Sequence, residues 1–169
     1  IGEDVGAEIV IENMEFDSLI MALANGQIDA SISGMTITEE RQTNMSISTP
    51  YMANKQVLVV KADKAGLTSV DGLKIVAESE SAGEEVAKTD AFFANADYTA
   101  VDSQAKALME VSAGTADVAI VDYVMSIGSI GEGTDYANLE VEGTGYSEEE
   151  YVHCRQGIQG WRCAHSVFQ

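Results

Sequence analysis

The sequence predicts an α/β fold, and three observations carry that prediction. Strand-like and helix-like patterns alternate along the chain. Short apolar runs such as Gln56-Val-Leu-Val-Val-Lys61 and Lys74-Ile-Val-Ala-Glu78 are bounded by polar residues, as buried strands are. Gly, Ser, Thr and Asp punctuate the changes from one pattern to the other. With 169 residues there is room for one domain or two small lobes, each with a real core. Mostly parallel sheets are expected.

Glu8-Ile-Val-Ile-Glu12 reads as the first strand. Phe16 to Asn25 reads as a helix whose Leu19, Ile20 and Leu23 share one face, stopped at Gly26. Ile28-Asp-Ala-Ser-Ile-Ser33 alternates like a strand that ends at Gly34, and Thr38 can cap a short helix from Glu39. Strands at 56–61 and 74–78 follow. Helices are expected at Ala82–Thr89 and Ser103–Ala113, the latter capped by Asp102 or Ser103. A weak repeat links Leu23-Ala-Asn-Gly26-Gln-Ile-Asp29 with Val111-Ser-Ala-Gly114-Thr-Ala-Asp117. The same count onward from each Asp reaches Gly34 and Asp122, which are expected at equivalent strand tips. Ligands of open α/β sheets bind beyond such tips.

The formal charge is −19, and all 28 acids precede residue 151. Such a surface repels nucleic acid and anionic membranes, so neither is an expected partner. No apolar run approaches the roughly 18 residues that span a bilayer. Without an initiator Met or a basic-then-apolar leader, the chain reads as processed or as a fragment. Glu148-Glu-Glu150 reads as wet surface rather than a metal site.

The stretch Ser33-Gly-Met-Thr-Ile-Thr-Glu-Glu-Arg41 has the makings of a carboxylate receptor. A strand gives way to a capped helix here, bringing backbone N–H groups and the Thr36 hydroxyl together. Arg41 is the first arginine of the chain and the only one before residue 151. Its guanidinium can grip a carboxylate through two parallel hydrogen bonds. Asp122 at a second strand tip offers the opposite charge, so a cleft between the two suits a zwitterion.

These residues resemble the polar amino-acid-binding subunits of ABC importers, which have the type II periplasmic-binding-protein fold. The phrases FDSLIMALANGQIDASISGMTITEER, STPYMANKQVLVVK, SAGEEV and VDSQAKALMEVSAGTADVAIVDYVMSIG carry the likeness over residues 1–150. The resemblance implies two lobes closing on a free amino acid and passing it to a membrane permease, with no reaction, cofactor or metal. It implies an incomplete first lobe over 1–58, a mostly complete second lobe over 59–150 and an aberrant tail over 151–169. By position, Ser33, Thr36 and Arg41 belong to the carboxylate grip, and Ser81 adds a hydroxyl or N–H. The Gly34 carbonyl and Asp122 would take the ammonium, and Phe16 would pack on the ligand side chain. Simpler roles stay open: a hydrophobic staple for Phe16 and helix caps for Ser81 and Asp122. An extracytoplasmic place, periplasmic or lipid-tethered, is implied as well.

The likeness breaks in three places. Ile1-Gly-Glu-Asp-Val-Gly6 reads as the end of a helix, so the family's first strand and following loop are missing. Glu78-Ser-Glu-Ser81 stands where that family has a glycine-rich loop, with Glu80 in place of a small residue. Both Cys, both His and the one Trp fall after Glu150. Val152-His-Cys-Arg-Gln-Gly-Ile-Gln-Gly160, back-translated and read one nucleotide later, permits Ser-Ile-Ala-Val-Lys-Gly-Ser-Lys-Asp, close to the expected return strand. A frameshift from about residue 152 is therefore expected, with a compromised return strand and an exposed sheet edge that invites self-association. His153, Cys154, Cys163 and His165 match no standard zinc spacing, and a Cys154–Cys163 disulfide is the stronger reading. Two other functions share this fold by resemblance: a sensor domain feeding a kinase or channel, and a cyclohexadienyl dehydratase using Glu80 or Asp122 as acid.

Overall fold

The computed structural model describes residues 2–156. Helix α1 (Gly2–Val5) precedes an extended stretch, then come α2 (Phe16–Ala24), β1 (Ala30–Thr36), α3 (Glu39–Asn44), β2 (Met45–Ile47) and β3 (Met52–Lys61). The second half holds β4 (Lys74–Glu78), α4 (Ala82–Thr89), β5 (Asp97–Val101), α5 (Gln104–Ala113), β6 (Val118–Asp122), α6 (Tyr123–Ser129) and β7 (Leu139–Gln156). All seven strands form one mixed sheet ordered β1-β7-β3-β6-β4-β5, with β2 also on β7.

The run 57–60 is apolar because both faces of the sheet are covered there. Val57 and Val59 point to one side, where they pack with Val76 and with Leu108 and Val111 of α5. Leu58 and Val60 point to the other, where they pack with Ile75, Phe93 and Ile120 and with Ala87 of α4. A third cluster joins Leu19 and Leu23 of α2 to Met35, Val152 and Cys154. Helix ends follow the sequence signals: Thr38 Oγ1 accepts from the Arg41 N–H, and Ser103, not Asp102, caps α5.

Four expectations need correction. The sheet is not mostly parallel: only β4 with β5 and β4 with β6 run parallel, while the pairings of β3 and β7 are antiparallel. Burial on both faces, not parallel pairing, produces the apolar runs. Glu8–Glu12 is no strand, for it finds no ladder partner among the described residues and leaves Ile9, Val10 and Ile11 56%, 75% and 89% exposed. Strand β1 does not stop at Gly34. It bulges between Ser31 and Met35, where Gly34 takes φ 58°, and continues to Thr36. Gly34 is thus mid-strand, whereas Asp122 is a true strand tip, so the two positions are not equivalent.

The fourth correction concerns the return strand, which is not compromised. β7 runs through residue 151 without a break and pairs Val152 with Met35 and Cys154 with Ser31. Tyr151, Val152 and Cys154 are buried, and burial raises the Cys154 thiol pKa. Cys163, His165 and the disulfide and zinc readings that use them lie outside the described residues. If Val152 seals the third cluster, Val152→Asp should destabilise the chain by about 3 kcal/mol or more. Urea unfolding checks this; an unchanged midpoint would mean that 151–156 does not pack there.

Candidate functional site

Five of the helices begin on one cavity of about 390 Å³. Its wall is built from the entry to α2 (Met14–Phe16), the end of β1 with α3, and the turn from β4 into α4. The starts of α5 and α6 and Tyr151 of β7 complete it. Phe16, Ser33, Gly34, Thr36, Arg41, Ser81 and Asp122 all line this one space. The β4 and β6 carboxyl ends point into it, where open α/β sheets place their ligands. The first turns of α2, α4 and α5 add positive partial charge.

Arg41 is 6% exposed, so its charge has to be met by protein dipoles. Nη1 donates to the Thr36 carbonyl at 2.9 Å, and Nη2 donates to the Glu80 carbonyl at 2.7 Å. The guanidinium also lies 5.5 Å from the centroid of the Phe16 ring, within cation–π range. Glu80 is the one non-glycine residue with positive φ among the described residues, at 59°. This left-handed turn aims its carbonyl at Arg41, and it is the conformation in which glycine is at ease. The Glu84 carboxylate braces the turn by accepting from the Glu80 N–H at 2.7 Å, while it also takes Tyr98 Oη and Lys88 Nζ.

Asp122 is equally buried, at 7% exposure, and is held by neutral amides. Its Oδ1 accepts from Asn54 Nδ2 at 2.8 Å and from Gln56 Nε2 at 2.5 Å. Its Oδ2 accepts from Gln104 Nε2 at 2.7 Å, and Gln104 Oε1 receives the Asp122 N–H at 2.9 Å. Asp122 occupies the N-cap position of α6, but its side chain makes no capping bond. The cap reading therefore fails for the carboxylate. Ser81 does cap α4, accepting from the Glu84 N–H and donating to the Glu78 carbonyl at 2.7 Å. Phe16 is the first residue of α2, so the staple position belongs to Met14 instead.

No local motif marks Glu78, Gln104 and Tyr151, which line the cavity, or Asn54 and Gln56, which bond Asp122. The amides on β3 had a signal, because polar residues opening an otherwise apolar strand have to bond something buried. Tyr151 falls in the tail by composition, yet its ring lies 3.4 Å from where a Cβ on Gly34 would sit. Glu78 ends β4 inside the cavity. Burial first, and then the like charges of Asp122, Glu15 and Asp17, raise its pKa to about 7 against the pull of Gln104. No group of three or more His, Cys, Asp or Glu is gathered for a metal among the described residues, and no helix among them is long and apolar enough to cross a membrane.

Two outcomes follow for stability. Glu80→Gly should stabilise the chain by about 0.5–1 kcal/mol, because relief of the left-handed penalty exceeds the added chain entropy. Thermal melting reads it, and a loss of stability would contradict the strained turn. A carboxyl with a raised folded pKa gives up stability as pH rises from its unfolded value toward its folded one. Glu78→Gln should therefore melt above the parent near pH 8, with the gap closing as pH falls toward about 4.5. A gap independent of pH would contradict the half-buried placement of Glu78 among like charges.

Known proteins share both pattern and architecture. Residues 1–118 match the model of the bacterial extracellular solute-binding proteins, family 3. The chain is 38% identical over 74 residues to the arginine-binding extracellular protein ArtP of Bacillus subtilis, covering 44% of this chain and 29% of that protein. It is 29% identical over 164 residues to the glutamine-binding protein of Geobacillus stearothermophilus, covering 89% of this chain and 61% of that one. The holo ArgBP of T. maritima superposes with a TM-score of 0.79 at 28% identity, over 92% of this chain and 70% of that one. The matched part thus spans less than two thirds of either curated relative. With the family model matched over most of the chain, and a buried Arg and Asp gathered at one cavity of a type II periplasmic-binding-protein fold, the chain belongs to family 3 of the bacterial extracellular solute-binding proteins.

Proposed function

We propose that this chain is the ligand-holding part of an extracytoplasmic amino-acid-binding subunit of an ABC importer. One observation carries the reading: a buried guanidinium and a buried carboxylate line the same cavity. An amino-acid zwitterion is the smallest common guest that answers both charges. Its α-carboxylate would meet Arg41 and Thr36, helped by Ser33 and Ser81. Its ammonium would meet the Gly34 carbonyl and Asp122. A carboxylate has about four acceptor sites. Two amides occupy Oδ1 and one occupies Oδ2, so Oδ2 keeps room for one more donor. Phe16 would line the side-chain end.

In this reading 1–58 and 59–150 are the two lobes, and residues 151–156 return to the first. Binding of the guest favours closure because the charges it meets are desolvated only once. The closed form would deliver the amino acid to a membrane permease, outside the cytoplasm, in the periplasm or on a lipid tether. The exposed Ile9–Ile11 run, which has no ladder partner among the described residues, supports self-association of these 169 residues. A sensor domain built from the same lobes would use the same contacts and differ only in what it is joined to.

Arg41→Ala should weaken amino-acid binding by about 2–5 kcal/mol. Arg41→Lys should recover only part of that, since a point charge replaces a fork. Titration calorimetry decides; an unchanged dissociation constant in Arg41→Ala would remove Arg41 from the site. Sedimentation velocity should show dimers or larger species that Val10→Lys and Ile11→Lys together disperse. A monomer at every concentration would rule out the self-association.

A further inference from the structure

The cavity carries more acid than a simple zwitterion uses. Glu15, Glu78 and Asp122 line it, against Arg41 as the one cation among its lining residues. Ala77 pairs with Ile120, so Glu78 and Asp122 close neighbouring strand ends. Asp122 has three amides, whereas no ion pair holds Glu78 among the described residues. The groups around Glu78 are mostly hostile to its charge. Asp122 on β6 and Glu15 and Asp17 at the start of α2 repel it, while the Gln104 amide on α5 favours it.

The nearby cations are committed elsewhere. Arg41 of α3 is turned to the Thr36 and Glu80 carbonyls. Lys88 of α4 holds Glu84, and Lys106 of α5, just past the end of β5, holds Asp102.

Resting on the reading of this cavity as an amino-acid site, we propose that Glu78 determines side-chain specificity, taking a basic group in preference to a neutral amide. Once the ligand's carboxylate is on Arg41 and its ammonium on Asp122, the remaining charge in the cavity is negative and lies at Glu78 and Glu15, of which Glu78 is half-buried and Glu15 exposed to water. A guanidinium or a side-chain ammonium there offsets the repulsion among the acids and keeps Glu78 ionised. A neutral amide does neither, so the discrimination comes from a charge left unpaired with the wrong guest. Because burial has pushed Glu78 up to about 7, its proton returns just below neutrality. A basic side chain then meets a neutral acid, and the preference fades with falling pH. The ligands themselves do not change charge in that range, so the pH profile reports on the protein.

The test is titration calorimetry of the chain and of Glu78→Gln with L-arginine, L-lysine and L-glutamine, at about pH 8 and about pH 5.5. At the higher pH the parent should bind the two basic amino acids roughly tenfold or more tighter than glutamine. Glu78→Gln, nearly the same shape, should bring that ratio close to one while still binding glutamine. At the lower pH the parent's arginine affinity should fall roughly tenfold or more, and that of the variant should stay flat. Binding with a ratio and pH profile unchanged by Glu78→Gln would overturn the role of Glu78 and leave the amino-acid site standing. Binding of none of the twenty amino acids by the parent would overturn the site and this inference with it. Should Glu78→Gln not fold, the pH dependence of the parent's arginine-to-glutamine ratio decides alone, and a ratio indifferent to pH overturns the proposal.

Discussion

A buried guanidinium organises this molecule around its cavity. Arg41 has little access to water, so backbone carbonyls have to replace its hydration. One comes from the end of β1, close in sequence. The other belongs to Glu80, far along the chain, and reaches Arg41 only because the turn into α4 goes left-handed. That turn is braced in its own right by Glu84, which is tied to Tyr98 and Lys88. A hydrogen-bonded path therefore runs from β5 through α4 to α3, and the cation sits at its end. The Phe16 ring under the guanidinium ties α2 into the same arrangement.

The acidic side is solved differently. Asp122 is met by amides from β3 and from the first turn of α5, all neutral. Cation and anion are thus each accommodated by dipoles. A guest with complementary charges adds to what the dipoles already supply, at sites shielded from water where such contacts are strong. Glu78 departs from this scheme, since it has charge to offer and few groups that welcome it.

Much of this was legible in the chain. The caps at Thr38, Ser81 and Ser103 announced the helices that open on the cavity, because a short hydroxyl before a helical pattern has one common use. Arg41 stood out as the only arginine before residue 151, placed just past such a cap. Asp122 is reached by counting along the repeat, although the two ends of that count differ, since Gly34 lies in a bulge and not at a tip. What stayed hidden depended on long-range pairing. Nothing local says that Gln56 and Gln104 converge on one carboxylate, or that Glu78 ends its strand beside Asp122. The antiparallel character of the sheet was masked because cover on both faces erases the alternation that usually reveals it. Tyr151 and Val152 were misjudged for a related reason. Their composition looks foreign, yet Val152 and Cys154, alternate residues of that stretch, present a buried face to α2 and β1, and Tyr151 lines the cavity. At Glu80 the departure from a glycine-rich loop was visible, and the positive φ explains why small residues suit that position.

The most direct test of the whole account is a crystal structure of the chain with an amino acid bound. It should place the α-carboxylate within hydrogen-bond distance of Arg41 and Thr36, and the α-ammonium on Asp122. An amino acid seated in the cavity with its carboxylate turned away from Arg41, or bound outside the cavity, would contradict it.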